Sequence, residues 1–109
     1  MMNEIIEIEW TSANLDEARK ISRYLVQERI VASAQITPWI ESIYNWDNQL
    51  ETVQESKITL KTLLSHFEKV EEIIKKNSSY QVPEITYKSL KGGNQEYSDW
   101  IVGSVFPLS

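Results

Sequence analysis

His66 and its neighbour Ser65 are the first pair in this chain to suggest chemistry, because an imidazole can activate a hydroxyl as a nucleophile. On a helix, adjacent residues point in different directions and cannot meet as nucleophile and base. We therefore interpret His66 as a solvent-facing residue in the first turn of a helix rather than a metal ligand. It is the only histidine, so one chain cannot build a site from several imidazoles.

Glutamates are the other candidates for chemistry. Glu51, Glu55 and Glu84 can offer hard oxygen ligands to Mg²⁺, Ca²⁺ or Mn²⁺. The alternative is surface carboxylates or ion pairs with nearby lysines, and we favour it for Glu51. Gly92-Gly93 lacks the spacing of a phosphate-binding loop, whereas paired carboxylates for hydrolysis stay an open alternative. The sequence predicts no enzyme, no metal site and no cofactor, with a divalent cation as the one cofactor candidate.

Composition narrows the function classes further. The chain has no cysteine, which excludes disulfides, Cys-ligated zinc and iron–sulfur clusters. It carries 16 acidic and 11 basic residues, a net charge of −5, so affinity for nucleic acid or anionic lipid is not expected. No stretch resembles a secretory signal or a membrane span. We expect one domain over residues 1–109, in a soluble cytoplasmic protein without nucleic-acid or membrane partners.

Hydrophobic periodicity predicts the elements that would position these side chains. The predicted elements are a strand at 5–10, a helix capped by Asn14, a strand at 31–36 that resumes after Pro38, a return strand at 50–62, a helix begun by the capping box 65–68, a strand at 85–87 and a short helix capped by Asn94. The order β-α-β-β-α-β is typical of an α+β, ferredoxin-like sandwich with two helices on one face of a four-stranded antiparallel sheet.

Strand alternation divides the predicted sheet into two faces. The helix-covered face would take Ile6, Ile8, Ala32, Ala34, Ile58 and Leu60. The opposite, polar face would take Glu7, Glu9, Ser33, Gln35, Thr59 and Lys61. This second face is either an ordinary solvated surface or a polar lining between subunits.

The hairpin favours a subunit interface, because it is longer than a small domain needs. Asp47-Asn48 forms its turn, and its distal part carries more apolar and aromatic area than one sheet can cover. Exposed patches of this kind commonly mark interfaces. We expect Trp39, Ile43 and Trp46 to lie against another copy of the chain.

Four segments carry motifs that match one family in order and spacing. They are RIVASAQI at 29–36, SIYNWDNQLE at 42–51, YQVPEI at 80–85 and GNQEYSDWI at 93–101. Glu55 and Lys61-Thr62 follow the second segment. Together they resemble the CutA family of divalent-cation tolerance proteins, whose corresponding motifs include A-C-[AV]-N-[IL], H-P-Y-x-[VT]-P-E and G-[ND]-x-x-Y-x-x-W-[IL].

The resemblance implies a ferredoxin-like protomer in a tight homotrimer that is similar to PII signalling proteins. It also implies a link to copper, for which a cysteine in the second strand and the histidine of H-P-Y are the plausible soft ligands. This chain has Ser33 and Ser78 at those two positions, and neither hydroxyl is a good copper ligand. Any metal binding is therefore expected to be weak and dominated by oxygen ligands.

The same resemblance groups six side chains at family-motif positions. They are Tyr44, Trp46, Glu55, Lys61, Tyr80 and Glu84. An aromatic wall with a few convergent polar groups is typical of a small-ligand pocket, which we expect in a cleft between subunits. The same groups would serve equally well as interface contacts, and both interpretations stay open.

Two functions follow from this sequence. The first is a non-enzymatic, homotrimeric protein of divalent metal-ion (copper) tolerance or response. The alternative is a PII-like sensor that binds a small metabolite in the clefts between subunits.

Overall fold

A computed structural model describes residues 4–107, which contain four β-strands and three α-helices. The strands are β1 (Ile5–Ser12), β2 (Ser33–Trp46), β3 (Gln49–Leu63) and β4 (Ile85–Ser89). The helices are α1 (Leu15–Gln27), α2 (Phe67–Asn77) and α3 (Gln95–Ser104), with a 3₁₀ turn at Leu64–His66 directly before α2. This order confirms the predicted β-α-β-β-α-β arrangement with an additional helix.

All four strands form one antiparallel sheet in the order β2-β3-β1-β4. The central strand β1 pairs with β3 along its whole length and with β4 on its other side. The fold is therefore α+β and ferredoxin-like, as predicted. None of the helices in residues 4–107 is both long and apolar enough to cross a membrane.

The main core lies between the sheet and the first two helices. Ile6, Ile8 and Trp10 of β1 are fully buried, as are Ile58 and Leu60 of β3. The buried residues of α1 are Ala18, Ile21, Ser22 and Leu25, whose spacing places them on one face of the helix. Val70 and Ile74 of α2 also belong to the cluster, as do Ile30 and Val31 in the connection after α1.

A second, smaller cluster lies at one end of the other sheet face. Leu63 pairs with Ile5 in the register, and both side chains contact a group that includes Ile101 of α3. Ala32 belongs to this cluster, so its predicted place on the helix-covered face was wrong. The reason is that β2 begins only at Ser33, and strand alternation does not extend to the residue before it.

The predicted helix caps had mixed outcomes. The side chain of Asn14 accepts a hydrogen bond from the backbone N–H of Glu17 at 2.8 Å, which confirms the α1 cap. The capping box at 65–68 was wrong, because residues 64–66 form a 3₁₀ turn and α2 has no side-chain cap. Asn94 occupies the cap position of α3, but its side chain makes no capping hydrogen bond.

His66 is 1 % exposed, so the prediction of a solvent-facing residue was also wrong. Its Nε2 lies 2.6 Å from the carbonyl oxygen of Phe106, which can only accept, so Nε2 donates. The hydroxyl of Ser65 lies 3.1 Å from Nδ1, so the expectation that these two neighbours cannot meet was wrong, because both lie in a 3₁₀ turn rather than in the helix. The C-terminal segment thus supplies a long-range partner that local sequence patterns around His66 do not show.

The long hairpin of β2 and β3 is bent rather than broken. The pairing shifts between Thr37 and Ile40, next to Pro38, which has no N–H to donate to the ladder. The hydroxyl of Ser56 donates to the Pro38 carbonyl at 3.0 Å. At the far end, Asp47 and Asn48 have φ angles of 55° and 62°, which confirms the predicted turn.

Candidate ligand-binding cleft

The distal hairpin projects from the sheet as an arm, here defined as residues 39–54. The chain measures 45 × 25 × 21 Å along its principal axes. Four large apolar side chains of the arm are mostly exposed, namely Trp39, Ile43, Trp46 and Leu50 at 71 %, 63 %, 62 % and 73 %. The predicted hairpin residues therefore lack cover within the described part of the chain.

A cleft of about 630 Å³ runs along the arm, from its base at Glu55 to Trp46 beside the turn. It is lined by Thr11, Ser42, Tyr44, Trp46, Glu51, Glu55, Tyr80, Gln81, Val82 and Glu84. Tyr44 of β2 pairs with Glu51 of β3, so both side chains lie on the same face of the hairpin. Every second residue of each strand shares this face, which is the face that lines the cleft. The segment between α2 and β4 closes the opposite side.

Glu55 is the anchored carboxylate of the cleft. It is 8 % exposed and accepts two short hydrogen bonds of 2.5 Å, from the hydroxyl of Ser42 to Oε1 and from the hydroxyl of Tyr80 to Oε2. Such bonds to a carboxylate are stronger than bonds between neutral groups. The two hydrogen bonds connect β2 and the α2–β4 segment to the Glu55 carboxylate of β3, and they hold the walls of the cleft in place.

Negative charge accumulates around this carboxylate. Burial and then the nearby Glu55 raise the pKa of Tyr80 above its ordinary value. Burial also raises the pKa of Glu84, and the carboxylates of Glu9 and Glu55 add to the effect, while Lys57 opposes it. Tyr80 and Glu84 therefore keep their protons to a higher pH than ordinary tyrosine and glutamate side chains do.

The structure brings five of the six predicted side chains to this cleft, namely Tyr44, Trp46, Glu55, Tyr80 and Glu84. Lys61 does not line it in the described chain. Its ammonium group lies 3.9 Å from Glu7 and donates to Gln35 at 3.2 Å, on the polar face of the sheet. The role of all six residues in ligand binding or assembly stays a prediction.

Five lining residues were not predicted from the sequence, namely Thr11, Ser42, Glu51, Gln81 and Val82. Strand alternation offered the signal for Ser42, because it stands two residues before Tyr44 and must share its face. Thr11 carried no such signal, because it reaches the cleft only through the pairing of β1 with β3.

The polar face of the sheet carries paired charges. The carboxylate of Glu7 lies 3.9 Å from Lys61 and 3.8 Å from Lys88, and that of Glu9 lies 3.4 Å from Lys57. Within residues 4–107, no group of three or more His, Cys, Asp or Glu side chains is arranged to hold a metal ion. The glutamates of the cleft thus do not form such a group.

The topology, the extended hairpin and the cleft along the arm define an α+β protein of the ferredoxin-like class. Comparison with known proteins gives the family. The chain belongs to the CutA1 divalent ion tolerance protein family, whose model matches residues 6–104. This result confirms the resemblance noted in the sequence.

Similar proteins come from bacteria and plants. The divalent-cation tolerance protein CutA of Thermus thermophilus is 37 % identical over 100 residues, which cover 92 % of this chain and 95 % of that protein. The chloroplastic CutA of Arabidopsis thaliana is 32 % identical over 94 residues, or 86 % of this chain, and the match spans only 52 % of that longer protein. The crystal structure of CutA1 from Oryza sativa superimposes with a TM-score of 0.92 at 30 % identity, covering 95 % of both chains.

Proposed function

We propose that this protein acts as a homotrimer in the cellular tolerance of, or response to, divalent cations such as copper, without catalysing a reaction. Membership of a family named for divalent ion tolerance is the observation that carries the cellular role. The assembly is supported by the uncovered apolar side chains of the arm, which a neighbouring subunit would bury. The trimeric number follows from the family resemblance.

Direct metal binding is proposed to be weak and to use oxygen ligands. The two positions at which the resemblance expects cysteine and histidine carry Ser33 and Ser78. The Ser78 hydroxyl accepts a hydrogen bond from the Tyr80 backbone N–H at 3.1 Å, which is a structural use of that side chain. Cu²⁺ prefers imidazole and thiolate groups over hydroxyls, so these serines are poor substitutes.

Calorimetric titration of the tag-free protein with Cu²⁺ tests this part of the proposal. We expect affinity no tighter than micromolar. The double variant Ser33→Cys with Ser78→His is the matched comparison, and it should bind copper more tightly than the wild-type protein. A sub-micromolar site in the wild-type protein would contradict the proposal.

The cellular role is tested by growth in graded Cu²⁺. A strain without the gene should grow less well than the same strain carrying it, and equal growth at every concentration would contradict the proposed role. The cytoplasm is the compartment that we propose, to be checked by fractionation. The names of two relatives give other compartments. The Arabidopsis protein is called chloroplastic, and the Archaeoglobus fulgidus protein is called periplasmic.

A second candidate function is a PII-like sensor of a small metabolite. The cleft favours it, because its volume of about 630 Å³ and its combination of aromatic and polar lining side chains suit a small ligand. A thermal-shift screen with a metabolite panel tests this candidate. We expect stabilisation by a compound whose effect disappears in the Tyr44→Leu variant, and an unresponsive panel would count against the sensor.

A further inference from the structure

The charge of the cleft is one-sided. Three of its lining side chains are carboxylates, namely Glu51, Glu55 and Glu84, and none of the described lining residues is lysine, arginine or histidine. Lys57 acts on Glu84 from outside the lining, and its ammonium group is already 3.4 Å from Glu9. An incoming positive charge would therefore meet carboxylates that are short of cationic partners.

The walls of the cleft are aromatic. Tyr44 and Trp46 alternate along β2, so both rings stand on the same face, and they are 41 % and 62 % exposed. Tyr80 adds a third ring from the opposite side. The faces of such rings attract organic cations, whose apolar parts also gain from contact with them.

A bare metal ion fits this arrangement less well than an organic cation. Mg²⁺, Ca²⁺ and Mn²⁺ need several oxygen ligands around one point. The described residues offer no group of three acidic or histidine side chains suited to that purpose. The aromatic side chains that line the cleft instead match a ligand that carries an apolar body beside its charge.

We propose that the cleft binds a small organic cation, with its ammonium or guanidinium group at Glu84 and Glu55 and its apolar body against Tyr44. This inference rests on the second candidate function and specifies the class of its ligand. Glu55 is held in place by Ser42 and Tyr80, and a carboxylate has lone pairs enough to accept a further donor. Glu84 is the exposed, adjustable partner at the rim.

The raised pKa of Glu84 supports this assignment independently of the shape. Its charged form is disfavoured by burial and then by the neighbouring carboxylates of Glu9 and Glu55. A bound cation would favour the charged form, so ligand binding should lower the pKa of Glu84. The direction of this change distinguishes a cationic ligand from a neutral or anionic one.

Calorimetric titration of the full chain with spermidine, arginine and tetramethylammonium tests the inference. We expect at least one probe to bind, and Glu84→Gln to weaken that binding by about tenfold through loss of an ion pair. Tyr44→Leu should weaken it by about threefold to tenfold through loss of the ring face. Tyr44 is chosen over Trp46 because Trp46 is also expected at the subunit interface.

Glu68→Gln is the matched control. It removes the same charge from an exposed position on α2, outside the cleft, and should leave the affinity unchanged. If none of the three probes binds at millimolar concentration, or if Glu68→Gln and Glu84→Gln have equal effects, the inference is overturned.

A different result separates this inference from the sensor candidate. If a neutral or anionic compound from the panel binds and depends on Tyr44, the organic-cation inference fails while the sensor stands. If Mn²⁺ competes with the probes and binds equally well to Tyr44→Leu, the cleft is a cation site without aromatic selectivity and the inference fails. Growth on Cu²⁺ tests the tolerance role separately from all these outcomes.

Discussion

The body of the molecule and its hairpin arm follow opposite packing rules although they share two strands. In the body, β1 and β3 place Ile6, Ile8, Ile58 and Leu60 at 0 % exposure beneath two helices. In the arm, the same kinds of side chain point outward, with Trp39 at 71 % and Leu50 at 73 % exposed. One region completes its own core, whereas the other presents a surface that a second molecule can cover.

Because the body is buried and the arm is exposed, substitutions in the two regions should affect different properties of the protein. Side chains of the body stabilise the single chain, so their loss should appear in unfolding experiments. Side chains of the arm should matter for association, and those of the cleft between the two regions for ligand binding. The following predictions separate these three effects.

The largest expected effect is loss of a tryptophan from the body. Trp10 is fully buried in β1, and Trp10→Ala should lower the free energy of unfolding by about 3–5 kcal/mol through lost burial and a cavity. Urea denaturation at fixed protein concentration measures this loss. If the alanine variant does not fold, Trp10→Phe should show a smaller loss in the same direction.

Trp39→Ala is the matched comparison in the arm. Because this side chain is mostly exposed in the single chain, its removal should change the unfolding of a dissociated subunit by less than about 0.5 kcal/mol. Equal losses for the two tryptophans would erase the distinction between body and arm.

The second effect concerns association. If the ring of Trp46 is buried against another copy, Trp46→Ala should weaken assembly by about 2 kcal/mol or more, as central aromatic residues of interfaces do. Sedimentation equilibrium measures the change, with circular dichroism to show that the subunit stays folded. An unchanged assembly would reassign Trp46 to ligand contact.

The third effect lies at the junction of the two regions. Tyr80→Phe removes one of the two hydroxyls that donate to the buried carboxylate of Glu55, which should cost about 1–3 kcal/mol of unfolding free energy. Tyr87→Phe is the control, because the Tyr87 ring packs on Phe67 and its hydroxyl makes no hydrogen bond within residues 4–107. Similar losses in the two variants would mean that the Glu55 contact is not the cause.

The smallest effect is on pH dependence. Folding raises the pKa of Glu84, so the folded chain keeps a proton that the unfolded chain has lost, and the Glu84 contribution to stability falls as pH rises from the ordinary glutamate value through the raised one. Glu84→Gln should therefore gain stability relative to the wild-type protein as pH rises above the ordinary glutamate pKa of about 4. Thermal melts across this range measure the difference, and a gain as pH falls would show that the sign is wrong.

Local patterns in the sequence were sufficient for most of the fold. Alternation in β1 and the spacing of Ala18, Ile21 and Leu25 in α1 depend only on nearby residues, and both predictions were confirmed. Two errors had local causes, namely the start of β2 at Ser33 and the 3₁₀ turn at 64–66. A third error arose where a distant segment decides the outcome. His66 is buried by Phe106, forty residues away, and no local pattern shows that contact.

The candidate site was predictable in part for the same reason. The motif positions identified Glu55, Tyr80 and Glu84 as site residues. They did not show that the hydroxyl of Ser42 also donates a hydrogen bond to Glu55. Lys61 was grouped with them by motif alone, whereas the sheet register sets it opposite Glu7, beyond the cleft lining. The register is a long-range property, which the sequence pattern of one strand does not determine.

Native mass spectrometry of the purified wild-type protein at low micromolar concentration shows whether another copy of the chain covers the arm, and it also detects any retained small ligand. A homotrimer should appear as a single species with three times the mass of the 12.7 kDa chain. A species with the mass of one chain, at that concentration and with the arm folded, would contradict it.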